Sequence, residues 1–142
     1  MIVVWGIAVL CTLFLSSCKR PEVLDNSTLV NSARNVALTF GPAYVQFFKE
    51  ANVSDVQVFK KEDYGDSSPQ IRKQIGRKFY TVTFTYDSTA VKFDFGFAAR
   101  VRIWKDTGEP LDVIFGNGWG RNFLFLSFKE QTVTTQHPYG HE

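Results

Sequence analysis

The residues able to do chemistry are few and scattered along the chain. The two histidines, His137 and His141, fall in His137-Pro138-Tyr139-Gly140-His141. Neutral imidazoles are good metal ligands by type, yet a pair without cysteine or carboxylate neighbours falls short of a zinc ligand set. The reading is therefore no metal site and no cofactor. Asp94 lies between Phe93 and Phe95, where burial would raise a carboxyl pKa. With Arg100 and Arg102 on the same strand face, it reads instead as part of an exposed surface with cross-strand ion pairs. Gly116-Asn117-Gly118-Trp119-Gly120 gathers three glycines around an indole. Glycine allows positive φ and close backbone approach, so this stretch reads as a wide turn with Trp119 tucked onto the core, or as a loop offering Trp119 and Arg121 to a partner. No Lys-Ser or Lys-Thr follows it, which excludes a phosphate loop. There is no nucleophile elbow and no close carboxylate pair, so the expectation is a non-catalytic protein whose candidate binding residues are Trp119, Arg121, Arg100 and Arg102.

The first twenty residues carry a different kind of chemistry. Ile2 to Leu15 is uncharged and almost wholly apolar. As a helix, fourteen to seventeen residues would cover about 21–26 Å, short of a hydrocarbon layer roughly 30 Å thick. That length and composition suit the core of a signal peptide. The run ends in Leu15-Ser16-Ser17-Cys18, which resembles the lipobox of bacterial lipoprotein precursors: an aliphatic residue, two small residues and the cysteine that is acylated. Cys11 fits less well, because the large Leu10 precedes it. The resemblance implies a signal peptide over residues 1–17, cleavage before Cys18, a lipid on that thiol, and a domain anchored to a bacterial membrane facing the periplasm or exterior. The chain departs from the pattern in having no basic residue before the apolar core and in placing Lys19-Arg20 directly after Cys18. An uncleaved anchor and a buried N-terminal helix are the alternatives for the same residues.

All the charged side chains lie after Cys18, and the formal net charge is +2. So near a balance, with no dense basic run, the chain is not read as a nucleic-acid binder. Residues 18–142 suffice for one compact domain. Both cysteines precede it or sit at its start, so the fold is expected to stand without a disulfide, on the 14 Phe, 5 Tyr and 3 Trp.

Residues 18–26, polar and containing Pro21, read as a tether. From Ser27 the apolar positions Leu29, Ala33, Val36, Phe40, Tyr44, Phe47 and Ala51 recur at three and four, the period of one helix face. Asp25, Asn26 or Ser27 supplies the cap oxygen. Gly41-Pro42 interrupts the stripe, since proline lacks the amide hydrogen and its ring crowds the preceding turn. The expectation is a kinked helix or two consecutive helices on one surface. The period then becomes two. Val53 to Lys60 reads as a strand, 61–77 as a long exposed connection, and Phe79 to Tyr86 as a strand with threonines on its wet side. From Val91 to Trp104 apolar and mostly polar residues alternate, which predicts one long strand that bends at Gly96. Residues 105–110 form a turn. Leu111 to Phe115 and Asn122 to Phe128 complete the strands, and 131–142 reads as a loose tail.

A helix followed by an antiparallel meander is an α+β arrangement: a kinked helix or two helices on a curved antiparallel sheet of four to five strands, over residues 27–130. In element order this is similar to the cystatin-like and nuclear-transport-factor-2-like architectures. Such folds host many unrelated functions. The functional expectation is a membrane-tethered protein-binding module of the cell envelope, with an inhibitor or immunity protein as its sharper form and another envelope or secreted protein as partner. The alternative is a small-molecule carrier or an enzyme using a pocket between helix and sheet.

Overall fold

The computed structural model describes residues 24–63 and 68–136. Cys18, most of the tether, and both histidines lie outside the described residues. Helix α1 spans Asn26–Phe40, and its cap is Asp25, whose carboxylate accepts the Thr28 amide hydrogen at 2.7 Å. Its apolar stripe buries Leu29, Ala33, Val36, Ala37 and Phe40. Gly41 ends the helix, and Pro42 opens the short α2, Pro42–Val45. Two consecutive helices thus resolve the proline, as proline suits a first turn, where its missing donor is not needed. The helical stripe stops earlier than its spacing suggests. Lys49 already donates to the Thr85 carbonyl, and Ala51 pairs with Phe84, so the sheet edge captures the chain there.

The fold is α+β. Strands β1 (Ala51–Val53), β2 (Gln57–Val58), β3 (Lys78–Phe84), β4 (Ala99–Trp104), β5 (Pro110–Phe115) and β6 (Gly120–Asn122) form one curved antiparallel sheet of six. The order is β1-β3-β4-β5-β6, with β2 also on β3. The single strand expected over Val53 to Lys60 is two short ones. Between them the Ser54 hydroxyl accepts the Thr81 amide hydrogen at 3.0 Å and donates to the Asp55 carbonyl. A side chain there replaces one rung of the ladder.

Three further expectations are corrected. The long strand from Val91 exists only over β4, because residues 91–98 cross the end of the sheet. Phe95 donates to the Gly116 carbonyl, Gly116 to that of Ala98, and Ala98 to that of Phe84. Phe93 meets the rings of Tyr44, Phe47 and Tyr86, so the alternation records a crossing loop with an aromatic anchor, not a pleat. The connection over 61–77 is not simply exposed: it contains helix α3 (Pro69–Arg72), and Ile71 is fully buried with Phe59. The strand expected to Phe128 ends at Asn122. Helix α4, Phe128–Gln136, follows and takes in the first half of the supposed loose tail. Ser127 and Glu130 exchange hydrogen bonds at its start, the Ser127 hydroxyl accepting from the Glu130 amide and the Glu130 carboxylate accepting from the Ser127 amide. This is a capping box.

Helix α1 closes one sheet face, against Val82, Phe84, Val101, Ile103, Val113 and Phe115. Phe115 sits at the end of that layer, stacked on Tyr44 at 4.6 Å between ring centres and on Trp119 at 5.4 Å. Its ring lies against Gly41 so closely that a Cβ there would come within 2.3 Å of Phe115 Cζ. Gly41→Ala is therefore expected to push Phe115 and α1 apart, at a cost of about 1–3 kcal/mol, read as a lower midpoint of denaturant unfolding with unchanged slope.

The crossing loop is held at its root by Asp87. Its carboxylate accepts the Thr89 hydroxyl at 2.6 Å and amide at 2.9 Å, with Lys49 Nζ 3.3 Å away. These hydrogen bonds, the hydroxyl's foremost, lower its pKa from the ordinary 3.8 to about 2. A depressed carboxyl pKa stabilises the fold above the unfolded value and loses that contribution as pH falls through the folded one. Carbon-detected NMR titration is expected to show the Asp87 carboxyl titrating near 2, and Thr89→Val to return it toward 3.8.

Candidate binding face

The opposite face of the sheet carries the side chains that alternate outward. Register sets Thr81 beside Arg102 and Thr83 beside Arg100, then Arg102 beside Asp112 and Arg100 beside Ile114. A bulge falls between Arg102 and Ile103 in the β4–β5 pairing: Arg102 faces Asp112, Ile103 faces Pro110, and Leu111 is the extra residue. Bulges free one residue from the ladder and re-aim its neighbours. Here Leu111 joins Phe59, Ile71, Phe79 and Trp104 in a second apolar cluster, while Asp112 is held against Arg102.

That pair is tight and nearly dry. Arg102 Nε lies 3.0 Å from each carboxylate oxygen of Asp112, and Nη2 also donates to Oδ2. Asp112 is 4% exposed. The guanidinium also sits 5.3 Å from the centre of the Phe79 ring, which links the pair to the second cluster.

Beyond this pair the face opens into a groove of about 920 Å³, walled on one side by the segment from Ser54 to Asp63. Thr81 and Thr83 line its floor with Arg100 and Ile114. Arg100 is exposed and rests over Phe97, 4.3 Å from the ring centre. It makes no ion pair among the described residues. The two arginines of the groove therefore differ in kind: Arg102 is spent on Asp112, and Arg100 presents its charge to whatever enters.

The other candidates lie elsewhere. Residues 116–118 turn β5 into β6, with Gly118 at φ +83 and its amide hydrogen bonded to the Phe115 carbonyl. This matches a three-residue hairpin loop with glycine in the left-handed position. Trp119, 43% exposed, stacks on Phe115 on the helix side. Arg121 is exposed, pairs with Val113, and lies over the rings of Phe40 and Trp119. The structure joins Arg100 to Arg102 and Trp119 to Arg121, but places the two pairs on opposite sides of the sheet. Asp94 is exposed on the crossing loop and is in none of the ion pairs among the described residues; the acid that pairs with one of the candidate arginines is Asp112. Asp112 was legible as the one carboxylate within the apolar run of Leu111 to Phe115, a position that demands a partner.

Among the described residues no three His, Cys, Asp or Glu side chains come together as a metal site, and no helix is long and apolar enough to cross a membrane. No family model, curated protein or solved structure matches the chain.

Removing one member of a buried pair leaves the other charge without compensation. Asp112→Ala is expected to destabilise the fold by about 3 kcal/mol, near the low end for such pairs because Arg102 keeps some solvent contact. Replacing both partners, Arg102→Met with Asp112→Leu, is expected to recover most of that loss in urea denaturation. Failure of the double variant to recover would show that the pair does more than satisfy its own charges.

Proposed function

We propose that this chain is a non-catalytic binding module of the bacterial cell envelope, tethered by a lipid on Cys18, which docks another envelope or secreted protein on the polar face of its sheet. An inhibitor or immunity protein is the sharper form of this reading. The observation that carries it is Arg100. Helix α1 fills one face of the sheet with side chains, whereas the other face holds an open groove whose floor carries an arginine that is in none of the ion pairs among the described residues. A guanidinium on a rigid strand, braced over an aromatic ring, is pre-organised to take a carboxylate in bidentate fashion. Thr83 adds a hydroxyl that donates or accepts, whereas the Thr81 hydroxyl donates to the Gln57 side-chain oxygen and keeps only accepting capacity. The partner chemistry that fits is an acidic side chain or chain terminus at the centre of a polar contact.

A photo-crosslinker at Thr83 tests this in membranes, with one at Leu38, an exposed residue of α1, as the comparison. A discrete crosslinked protein is expected at Thr83 and not at Leu38. Arg100→Ala is expected to weaken its binding by about 1.5–3 kcal/mol, roughly tenfold or more, as for a hydrogen bond to a charged group. Equal capture at both positions, or capture indifferent to Arg100, would overturn the assignment of the face.

A further inference from the structure

One end of the sheet exposes apolar side chains that neither the core nor the groove uses. Strand β4 ends there at Trp104 and β5 begins at Pro110, and Phe123 leaves the sheet there with its amide hydrogen on the Leu111 carbonyl. Residues 123–127 then cross that end before α4. Within them Phe125 is 52% exposed and Leu126 53% exposed, the two largest exposures among the big apolar residues. The described chain begins at the same end: the Leu24 side chain lies against Gly108, in the turn joining β4 to β5.

From these positions we infer that this end of the domain rests on the lipid surface, with Phe125 and Leu126 entering the boundary between headgroups and acyl chains. The inference rests on the reading of Cys18 as the lipidated residue. Leu24 lies six positions after Cys18, with five residues between them, and a chain extends at most about 3.3–3.6 Å per residue. The end bearing Leu24 is thus held within roughly 20 Å of the anchor, and the opposite end, with Phe95 and Trp119, stands about one strand length further away.

The occupant follows from area and charge. A whole aromatic side chain carries about 150–250 Å², so two half-exposed residues offer on the order of 200 Å². A stable protein interface needs about 800 Å² from each partner, so this patch is too small to hold a second copy by itself. It is large enough to orient a domain that a covalent lipid already keeps at the surface, where stable attachment uses two signals together. Charges of both signs surround the patch, Lys78, Lys105 and Lys129 with Glu109 and Glu130 and the paired Arg77 and Asp106, so the contact itself is made by the two apolar side chains. The attraction to anionic headgroups comes from Lys19-Arg20, beside the anchor.

The test uses the full chain in a Cys11→Ala background, expressed through its own leader and reconstituted in phosphatidylethanolamine–phosphatidylglycerol vesicles. A nitroxide is attached at Leu126→Cys or, at the far end, at Asp94→Cys, and intact mass reports whether Cys18 carries lipid. The expected result is an acylated chain in which the label at 126 relaxes with oxygen and loses access to an aqueous nickel chelate, while the label at 94 stays fully accessible to the chelate. An acylated chain with both labels in water overturns the orientation and leaves the anchor standing. A label at 126 shielded from both relaxants signals a protein contact and also overturns it. A chain without lipid ends the anchor reading; remade with Cys18→Ser so that the nitroxide sits at one position, it supports the surface if the 126 label still enters the bilayer and ends that inference too if both labels stay in water.

Discussion

Helix α1 lies across one face of a six-stranded sheet, and among the described residues no second long helix covers the other. Every strand therefore has to reconcile an outward face with water by other means, and most of the distinctive features of this chain are those means. At the β4–β5 turn end, Phe59 and Ile71 are buried against Phe79 and Trp104. Further along, the face turns polar and stays open. The Arg102–Asp112 pair marks the border, with its carboxylate out of water and its guanidinium over Phe79. The groove and its unpaired Arg100 are what remains of the face once the small second cluster has taken its share.

Aromatic contacts carry the covered side. Phe115 is the junction, in contact with the end of α1 through Gly41, with α2 through Tyr44 and with the last hairpin through Trp119. One ring thereby fixes the helix end, the direction of α2 and the placement of the β5–β6 turn. Phe93 does similar work for the crossing loop, clasped by Tyr44, Phe47 and Tyr86. Stacked and edge-on rings add specific geometry to area burial, which suits a domain with no disulfide among its described residues. The aromatic excess is thus spent on joining elements as much as on filling the space between helix and sheet.

The groove, the end bearing Phe125 and Leu126, and the Trp119 hairpin point in different directions. The proposed tethered binding module would need such a separation, because an end that meets lipid cannot also meet a partner. The groove lies on the sheet face opposite α1. The Trp119 hairpin and Phe95 stand at the far end, facing away from any anchor on Cys18. In that reading the sheet would act as a spacer between two surfaces of different chemistry.

What could be read from the sequence was what neighbouring residues decide among themselves. The Asp25 cap, the three-and-four stripe of α1, the break at Gly41-Pro42, the turn before Pro110 and the two-residue alternation of β3 and β4 are all local, and they suffice for the α+β class. Helix α4 belonged to this group as well, since Ser127 and Glu130 stand at capping-box spacing, but the apolar run before them read as a strand. Tertiary structure decided the rest. Residues 91–97 alternate as regularly as β4 does, yet they leave the sheet because the Asp87 carbonyl, the Tyr86 hydroxyl and the Gly116 carbonyl take the amide hydrogens of Val91, Phe93 and Phe95 and because Phe93 finds three rings. Ile71 looks like one apolar residue in a polar connection until the uncovered strands Phe79 and Trp104 give it a place. Arg100 and Arg102 are indistinguishable by type and by face, and only the register of β5, shifted by the bulge that frees Leu111, gives Asp112 to one and leaves the other open. Periodicity fixes which face a side chain occupies, whereas its partner depends on how separate strands slide past one another, and no local pattern contains that offset.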